Sequence, residues 1–341
     1  MTKVNSSGLA TWRCCDEPFT MKAALLYAPG ETPRYGDTDE PVLGEGQELV
    51  RVLAASLKNI DKSLAAGTHY HADAKPWPQV LGMDAVVERA DGLRVYAGGM
   101  SGFMAEKAVI GRGMGIIVPA GLDPVLAAAI PNPALAAWFA LNGKAQFQSG
   151  QTLLILGATG ASGKLAVSFA KEMRAARIVA AGRNPKALQE LESLGADELI
   201  SLSAPEAEIR QALDRVVKSG HVDLVMDYVW GRPAELVLDA LSGHDFEAEA
   251  RLTRYLQIGA MAGASITLKS TILRSTEIEI FGQGGGSVAK DLIARVPEIL
   301  SKLFACAVRG QLPLSVQSVP LSEVASVWNR SSEGRRIVLV P

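Results

Sequence analysis

Residues Thr152–Asn184, TLLILGATGASGKLAVSFAKEMRAARIVAAGRN, run from an apolar strand through a glycine turn into a helix and out into a second apolar strand. Gly157 ends the first strand, read over Thr152–Leu156, and Gly160 and Gly163 follow at intervals of three. This spacing lets the backbone turn tightly. The N–H groups around Thr159, Ala161 and Ser162 then face an anion at the start of a helix read over Ala161–Met173. A pyrophosphate is the natural occupant, and a strand–turn–helix–strand unit of about 30 residues is the context in which a glycine trio points to a dinucleotide.

The end of the second strand, Arg177–Ala181, decides which dinucleotide. A site for NAD places Asp or Glu about 20 residues beyond the glycines to hold the ribose hydroxyls. This chain instead reads Gly182-Arg183-Asn184. No carboxylate repels a 2′-phosphate there; Arg183 can form a charge-assisted fork with it, Asn184 can donate a further bond, and Lys186 adds positive charge. The expected cofactor is therefore NADPH.

The whole chain suits a globular enzyme. Its 341 residues are 48% hydrophobic and 21% charged, enough for two domains. A net charge of −2 offers no field for nucleic acid or an anionic membrane, so neither is expected as a partner. Apolar runs such as Val125–Ile130 and Ile278–Phe281 are far shorter than a membrane span, and the N-terminus lacks the apolar core of a signal peptide. Cys14, Cys15 and Cys306 fit neither a disulfide framework nor a metal spacing, which suits a reducing, cytoplasmic setting.

Residues 1–20 show no periodicity and read as a flexible tail. From Met21 to about Pro119 short alternating runs (Glu48–Ala54, Val80–Val87, Arg94–Ala97, Met104–Ile110) alternate with Gly, Pro and Asp, the mark of a β-rich domain with few helices. A helix over Pro124–Leu141 opens a second pattern, in which strands near 152–156, 177–181, 198–202, 222–227, 254–260 and 276–281 alternate with helices. That alternation predicts a doubly wound sheet. A helix near Ala289–Val308 and strands near 315–319 and 336–340 return to the β character of the start.

Several ordered segments together carry a resemblance: Met-Lys-Ala-Ala at 21–24, Leu-Gly-Met-Asp at 81–84, Arg-Val-Tyr-Ala at 94–97, Val-Pro-Ala-Gly-Leu at 118–122, the Ala-rich helix with Asn132 and Trp138, and Gly-Ala-Thr-Gly-Ala-Ser-Gly at 157–163. Over residues 21–341 the chain resembles the quinone oxidoreductase branch of the medium-chain dehydrogenase/reductase superfamily. The resemblance implies an α/β protein with a GroES-like β-rich catalytic domain (21–125 and 286–341) and a doubly wound Rossmann domain (126–285) that binds NADPH. It also implies an active site in the cleft between them and a homodimer joined through the last Rossmann strand, around Thr276–Phe281.

The same superfamily holds zinc enzymes, and the residues bear on the metal question. Zinc needs a set of Cys, His or carboxylate ligands. Lys58 or Asn59 stands where those relatives place the first catalytic cysteine, Gly82-Met83-Asp84 replaces Gly-His-Glu, and Val86–Val95 leaves no room for a four-cysteine lobe. No metal is expected, and Asp61 and Asp84 read as turn caps or solvated carboxylates.

Hydride transfer without a metal needs orientation and donors for the developing oxyanion. The candidates are Lys58, Asn59, His69 and Tyr70, the last two in a glycine-led loop whose ring can cover a flat substrate. Trp77 and Trp138 read as packing. A threonine that relatives place beside the nicotinamide is Ala136 here, with Asn132 one turn earlier either a substitute contact or a helix cap. At the strand ends Tyr228, Gly259, Ala260 and Gln283 are expected to reach ribose and carboxamide. The reading is a zinc-independent NADPH oxidoreductase acting on a quinone or α,β-unsaturated carbonyl, with a noncatalytic NADPH-binding protein of the same fold as the alternative. A reductase of saturated aldehydes is disfavoured by the missing Lewis acid.

Overall fold

The computed structural model describes residues 20–69, 76–98, 102–242, 250–330 and 334–341. The expected tail, apart from Thr20, and the candidate Tyr70 lie outside the described residues.

Six strands, Thr152–Leu156, Arg177–Gly182, Glu198–Ser201, Leu224–Asp227, Thr253–Gln257 and Ile278–Gly282, form one sheet. Numbered along the chain they lie side by side as 3-2-1-4-5-6, every pair parallel. This is the doubly wound order, with its crevice beside the first strand, where the direction of winding reverses. The central strands are continuous apolar runs because helices cover both faces. Leu153, Ile155, Ile178 and Ala180 pack with Leu165 and Phe169 of the helix Ala161–Glu172; Leu154, Leu156, Val179 and Ala181 pack on the opposite face with Leu213 and Val237.

The N-terminal part is a mixed sheet in the order Val316–Pro320, Arg336–Val340, Gln47–Ser56, Asp84–Glu88, Arg94–Gly98, Ile116–Ile117, with Lys107–Gly111 also paired to the long strand Gln47–Ser56. A three-stranded sheet of Arg34–Asp39, Thr20–Leu26 and Gln79–Val80 lies alongside. The final strand joins the N-terminal sheet through Val338 opposite Ser56 and Leu339 opposite Ala55, so the end of the chain completes the sheet begun by its start. One apolar cluster runs from Ala54 and Val86 of this sheet through Ala134 and Ile130 to Leu153 and Leu256 of the parallel sheet, and it fixes the two parts against each other.

Three segments differ from expectation. The helix expected over Pro124–Leu141 is broken into Pro124–Ala129, Pro131–Trp138 and a π-helical turn Phe139–Lys144. Pro131 and Pro133 bring no N–H, so the first helix cannot continue through them and the second starts at Pro131. The helix expected near Ala289–Val308 divides into Lys290–Ala294 and Val296–Val308, with Pro297 in the first turn of the second. The run Val80–Val87 is interrupted at Gly82, whose φ is +101° and where a Cβ would stand 2.6 Å from Met104 N. The strand Arg34–Asp39 and the helix Asn59–Ala65 add to the elements expected.

Candidate active site

The glycine turn is built as a cradle. Gly157 has φ +82°, and a Cβ there would meet Val229 Cγ1 at 2.9 Å. At Gly163 a Cβ would stand 2.5 Å from Ala158 Cα and from Gly157 O, so helix and strand approach as only glycine permits. Gly157 N and Ala158 N donate to Ala181 O, both at 2.9 Å, and fasten the turn to the second strand. Gly160 caps the helix Ala161–Glu172, so the N–H groups of Ala161, Ser162 and Gly163 have no carbonyl one turn earlier and point out of the helix end. Thr159 lies against Gly182, where any side chain would displace it.

Arg183 follows Gly182 directly at the open end of the second strand. Its side chain is exposed and makes no hydrogen bond or ion pair among the described residues, and its carbonyl accepts from Ser203 Oγ at 2.7 Å. Asn184 Oδ1 accepts from Ala187 N at 3.0 Å and caps the helix Pro185–Leu194, which leaves the amide NH₂ as its outward group. Lys186, on the first turn of that helix, is exposed. The last turn before the final strand also reaches this place: a Cβ on Gly334 would be 3.7 Å from Thr159 O and 4.0 Å from Lys164 Nζ.

At the far side of the crevice the fourth, fifth and sixth strands end. Asp227 is fully buried, accepts from Val229 N and Trp230 N at 2.8 Å through Oδ1, and accepts from Tyr255 OH at 2.7 Å through Oδ2. Burial raises its carboxyl above the ordinary range despite those donors. The chain that Asp227 holds forms the cradle's wall: Tyr228 Cβ lies 3.2 Å from a Cβ on Gly157, and Tyr228 O lies 2.5 Å from one on Gly259. Tyr228 OH and Gln283 Oε1 are buried without a hydrogen-bond partner, whereas Gln283 Nε2 donates to Ala136 O at 2.9 Å. Ala260, the next residue after Gly259, is exposed at the mouth.

The residues expected to face a substrate are separated by the structure. Lys58 is 1% exposed. Its Nζ donates to Ser56 O at 2.8 Å and Asp84 Oδ1 at 2.9 Å and stands 3.3 Å from Asp61 Oδ2, so three acceptors occupy its three donors. This geometry turns Lys58 away from a substrate and corrects the reading of Asp61 and Asp84 as solvated. Asp61 also accepts from Lys58 N at 2.8 Å and Met83 N at 3.2 Å, and Tyr96 hydrogen-bonds to Asp84. Burial is the largest influence on both Lys58 and Asp61: it lowers the first and raises the second. The two carboxylates outweigh it at Lys58, whose pKa stands above the ordinary value; at Asp61 burial and Asp84 outweigh Lys58, and its pKa stands above the ordinary value too.

Asn59, one residue on, is exposed at the start of the helix Asn59–Ala65, and its Nδ2 donates to Met261 Sδ at 3.2 Å across the cleft, in the loop that follows the fifth parallel strand. A thioether is a weak acceptor, so a better one can displace it. His69, whose backbone N donates to Ser63 O at 3.2 Å, lies just past the same helix. Asn132 is exposed within the first turn of Pro131–Trp138, whose preceding residue is Ile130, so it is not the cap. Trp138 packs edge-on against Phe139 with Arg295 over its ring, while Trp77 is 42% exposed and is not core packing. Among the described residues no three His, Cys, Asp or Glu side chains gather as metal ligands would.

Sequence reading missed the Lys58–Asp61–Asp84 cluster, the Asp227–Tyr255 pair and the approach of Gly334. A signal existed for the first: Asp84 opens the apolar run Ala85–Val87, where a solvated carboxylate is out of place.

A parallel sheet in the order 3-2-1-4-5-6, a β-rich unit completed by both chain ends and a crevice shared between them make up the fold seen in medium-chain dehydrogenase/reductases. No family model matches the chain. It is 29% identical to a probable NADPH-dependent quinone reductase from Emericella nidulans over 94% of this chain and all of the relative. It is 29% identical to a chloroplastic NADPH-dependent alkenal/one oxidoreductase from Arabidopsis thaliana over 49% of this chain and 48% of the relative. The quinone oxidoreductase of Thermus thermophilus, also solved with NADPH, superimposes with a TM-score of 0.75 at 27% identity, covering 94% of this chain and all of that one. The chain is therefore similar, over nearly its whole length, to an NADPH-dependent quinone reductase and to a quinone oxidoreductase of known structure.

Proposed function

We propose that this protein is an NADPH-dependent oxidoreductase that delivers hydride to a quinone or an α,β-unsaturated carbonyl. The observation that carries the reading is the cradle: free helix N–H groups behind Gly160, closed by Gly157 and Gly163, with the unengaged Arg183 at the end of the next strand. Two buried polar atoms without partners at the other end, Tyr228 OH and Gln283 Oε1, mark where the rest of a dinucleotide would satisfy them. Gly160 to Gly163 would hold the pyrophosphate; Arg183, Asn184 and Lys186 the 2′-phosphate; Tyr228, Gly259, Ala260 and Gln283 the nicotinamide half.

When bound there, NADPH supplies the hydride. The chain's own part is to orient and to stabilise charge. Hydride arrival at an electrophilic carbon leaves negative charge on a carbonyl oxygen, and a fixed neutral amide such as Asn59 Nδ2 stabilises it without giving up a proton. His69 and Tyr70, which follow the same helix in the chain, are assigned as the proton-bearing groups of that side. We assign residues 21–125 and 286–341 to the catalytic unit and 126–285 to the nucleotide unit. Oxidation of NADPH against a panel of quinones and enones tests the reading; a protein that binds NADPH and turns over none of them would refute the activity.

Arg183→Ala is expected to weaken NADPH binding about 10–100-fold and to leave NADH nearly unchanged, since one charge-assisted fork contributes about 1.5–3 kcal/mol. Fluorescence titration with both cofactors checks this, and equal losses would remove Arg183 from the phosphate site.

We also infer zinc independence, a reading supported by the Lys58 ammonium lying between Asp61 and Asp84, where a metal cation would otherwise balance them. Full activity in chelator and no stoichiometric metal by elemental analysis are expected. A tightly held ion whose removal abolishes turnover would contradict it. The sixth strand, Ile278–Gly282, has an edge without a strand partner among the described residues, and we assign it to a homodimer in which two such edges meet. Light scattering should give the mass of two chains; a single-chain mass at working concentration would exclude it.

A further inference from the structure

Gln283 stands immediately beyond the sixth parallel strand and is 7% exposed. Its backbone N donates to Gln257 O at 2.8 Å, and its side-chain Nε2 donates to Ala136 O at 2.9 Å on the helix Pro131–Trp138. Because a carbonyl can only accept, the NH₂ must face Ala136 and the amide oxygen must face the other way. That oxygen is buried and has no partner. A buried acceptor held in one orientation by a second bond on its own amide is the arrangement expected where a ligand donor completes the pair.

The place fixes which donor. Arg183 lies at the end of the second strand, so a dinucleotide with its phosphate-bearing ribose there runs across the turn at Gly157–Gly163 and ends at the fourth to sixth strands. That end carries the nicotinamide ring, whose carboxamide has an NH₂ donor. Ala136 has no polar side chain, and Gln283 reaches its backbone carbonyl.

We propose that Gln283 Oε1 accepts a hydrogen bond from the nicotinamide carboxamide, and that the Nε2–Ala136 O bond holds the acceptor in register so that one face of the ring is presented to the substrate. This assignment rests on the NADPH reading above and deepens it. The side chain contributes to orienting the cofactor and takes no part in bond making.

Isothermal titration of the full chain with NADP⁺ and with 3-acetylpyridine adenine dinucleotide phosphate, whose methyl ketone replaces the carboxamide NH₂, tests it without turnover. The parent should bind NADP⁺ about 10-fold or more tightly than the analogue, because the analogue leaves Oε1 unpaired. Gln283→Met, similar in volume and without the amide oxygen, should bind the two within about 3-fold of each other. If Gln283 served only to tether the helix, Gln283→Met would weaken both ligands alike and keep the parental ratio. That result overturns the proposal, as does a parental ratio near one, which needs no folded variant. A parent that binds neither dinucleotide removes the NADPH reading itself, and this assignment with it.

Discussion

Lys58→Met is expected to destabilise the protein by about 3–5 kcal/mol, the usual cost of removing one member of a buried ion pair and stranding its partner. The methionine matches the length of the lysine stem, so the loss is chiefly electrostatic. Asp84 loses its 2.9 Å donor and Asp61 its 3.3 Å neighbour, with both carboxylates out of water. Arg336 offsets only part of this: both carboxylates act on it and its Nε has no hydrogen-bond partner, but its Nη1 is committed to Leu57 O at 3.3 Å. Urea denaturation should show the shift in midpoint at an unchanged slope. Adding Asp84→Asn removes one stranded charge and should restore roughly half of the loss, whereas an effect under about 1 kcal/mol for the single change would mean the pair behaves as a solvated one.

The direction of the lysine's pKa adds a dependence on pH. A cation whose folded pKa is raised contributes fully below its unfolded value, here the ordinary 10.5, and that contribution is lost as pH climbs through the higher folded value. The parent should therefore lose stability in the alkaline range above 10.5, and Lys58→Met should lack that component of the loss.

How much of this was legible in the sequence depended on whether a residue's partners were near in the chain. The parallel strands could be read because burial on both faces makes Leu153–Leu156 and Ile178–Ala181 unbroken apolar runs, and the turn could be read because Gly157, Gly160 and Gly163 answer to local backbone geometry. Arg34–Asp39 could not: RYGDTD is polar and largely exposed, and it is a strand only because Thr20–Leu26 pairs with it over six registered positions. Lys58 reads as a substrate donor because the resemblance sets it among substrate-side polar residues, whereas its acceptor Asp84 lies 26 residues away and Arg336 arrives from the end of the chain. Gln283 gave no sign of its bond to Ala136, 147 residues distant, since a glutamine after a strand is ordinary in any α/β sheet. Substrate-side chemistry is set by such long-range meetings, and for that reason the cradle was easier to read than the pocket.

The cradle permits a second large effect, in which two glycines three residues apart should fail differently. Gly160 has φ −77° and ψ 166°, values open to any residue, and a Cβ there would meet only Gly157 O, at an ordinary 3.4 Å. The protein alone therefore does not require glycine at this position; a pyrophosphate resting on the turn does, because the backbone must come close to it. Gly160→Ala is expected to leave the unliganded protein within about 1 kcal/mol of the parent. Its NADPH affinity should nevertheless fall by about 100-fold or more, since displacing the phosphates from two amide donors forfeits about 1.5–3 kcal/mol each. Gly163→Ala meets backbone on both sides, Ala158 Cα and Gly157 O at 2.5 Å, so the helix must move off the strand before any ligand is present. That change should cost about 1–3 kcal/mol of stability in the free protein as well as weakening the cofactor. Thermal melts without ligand, set beside titrations with NADPH, separate the two cases. Equal binding by the parent and Gly160→Ala would mean that the pyrophosphate does not sit on this turn, and it would remove the cradle from the account of how this protein holds a dinucleotide.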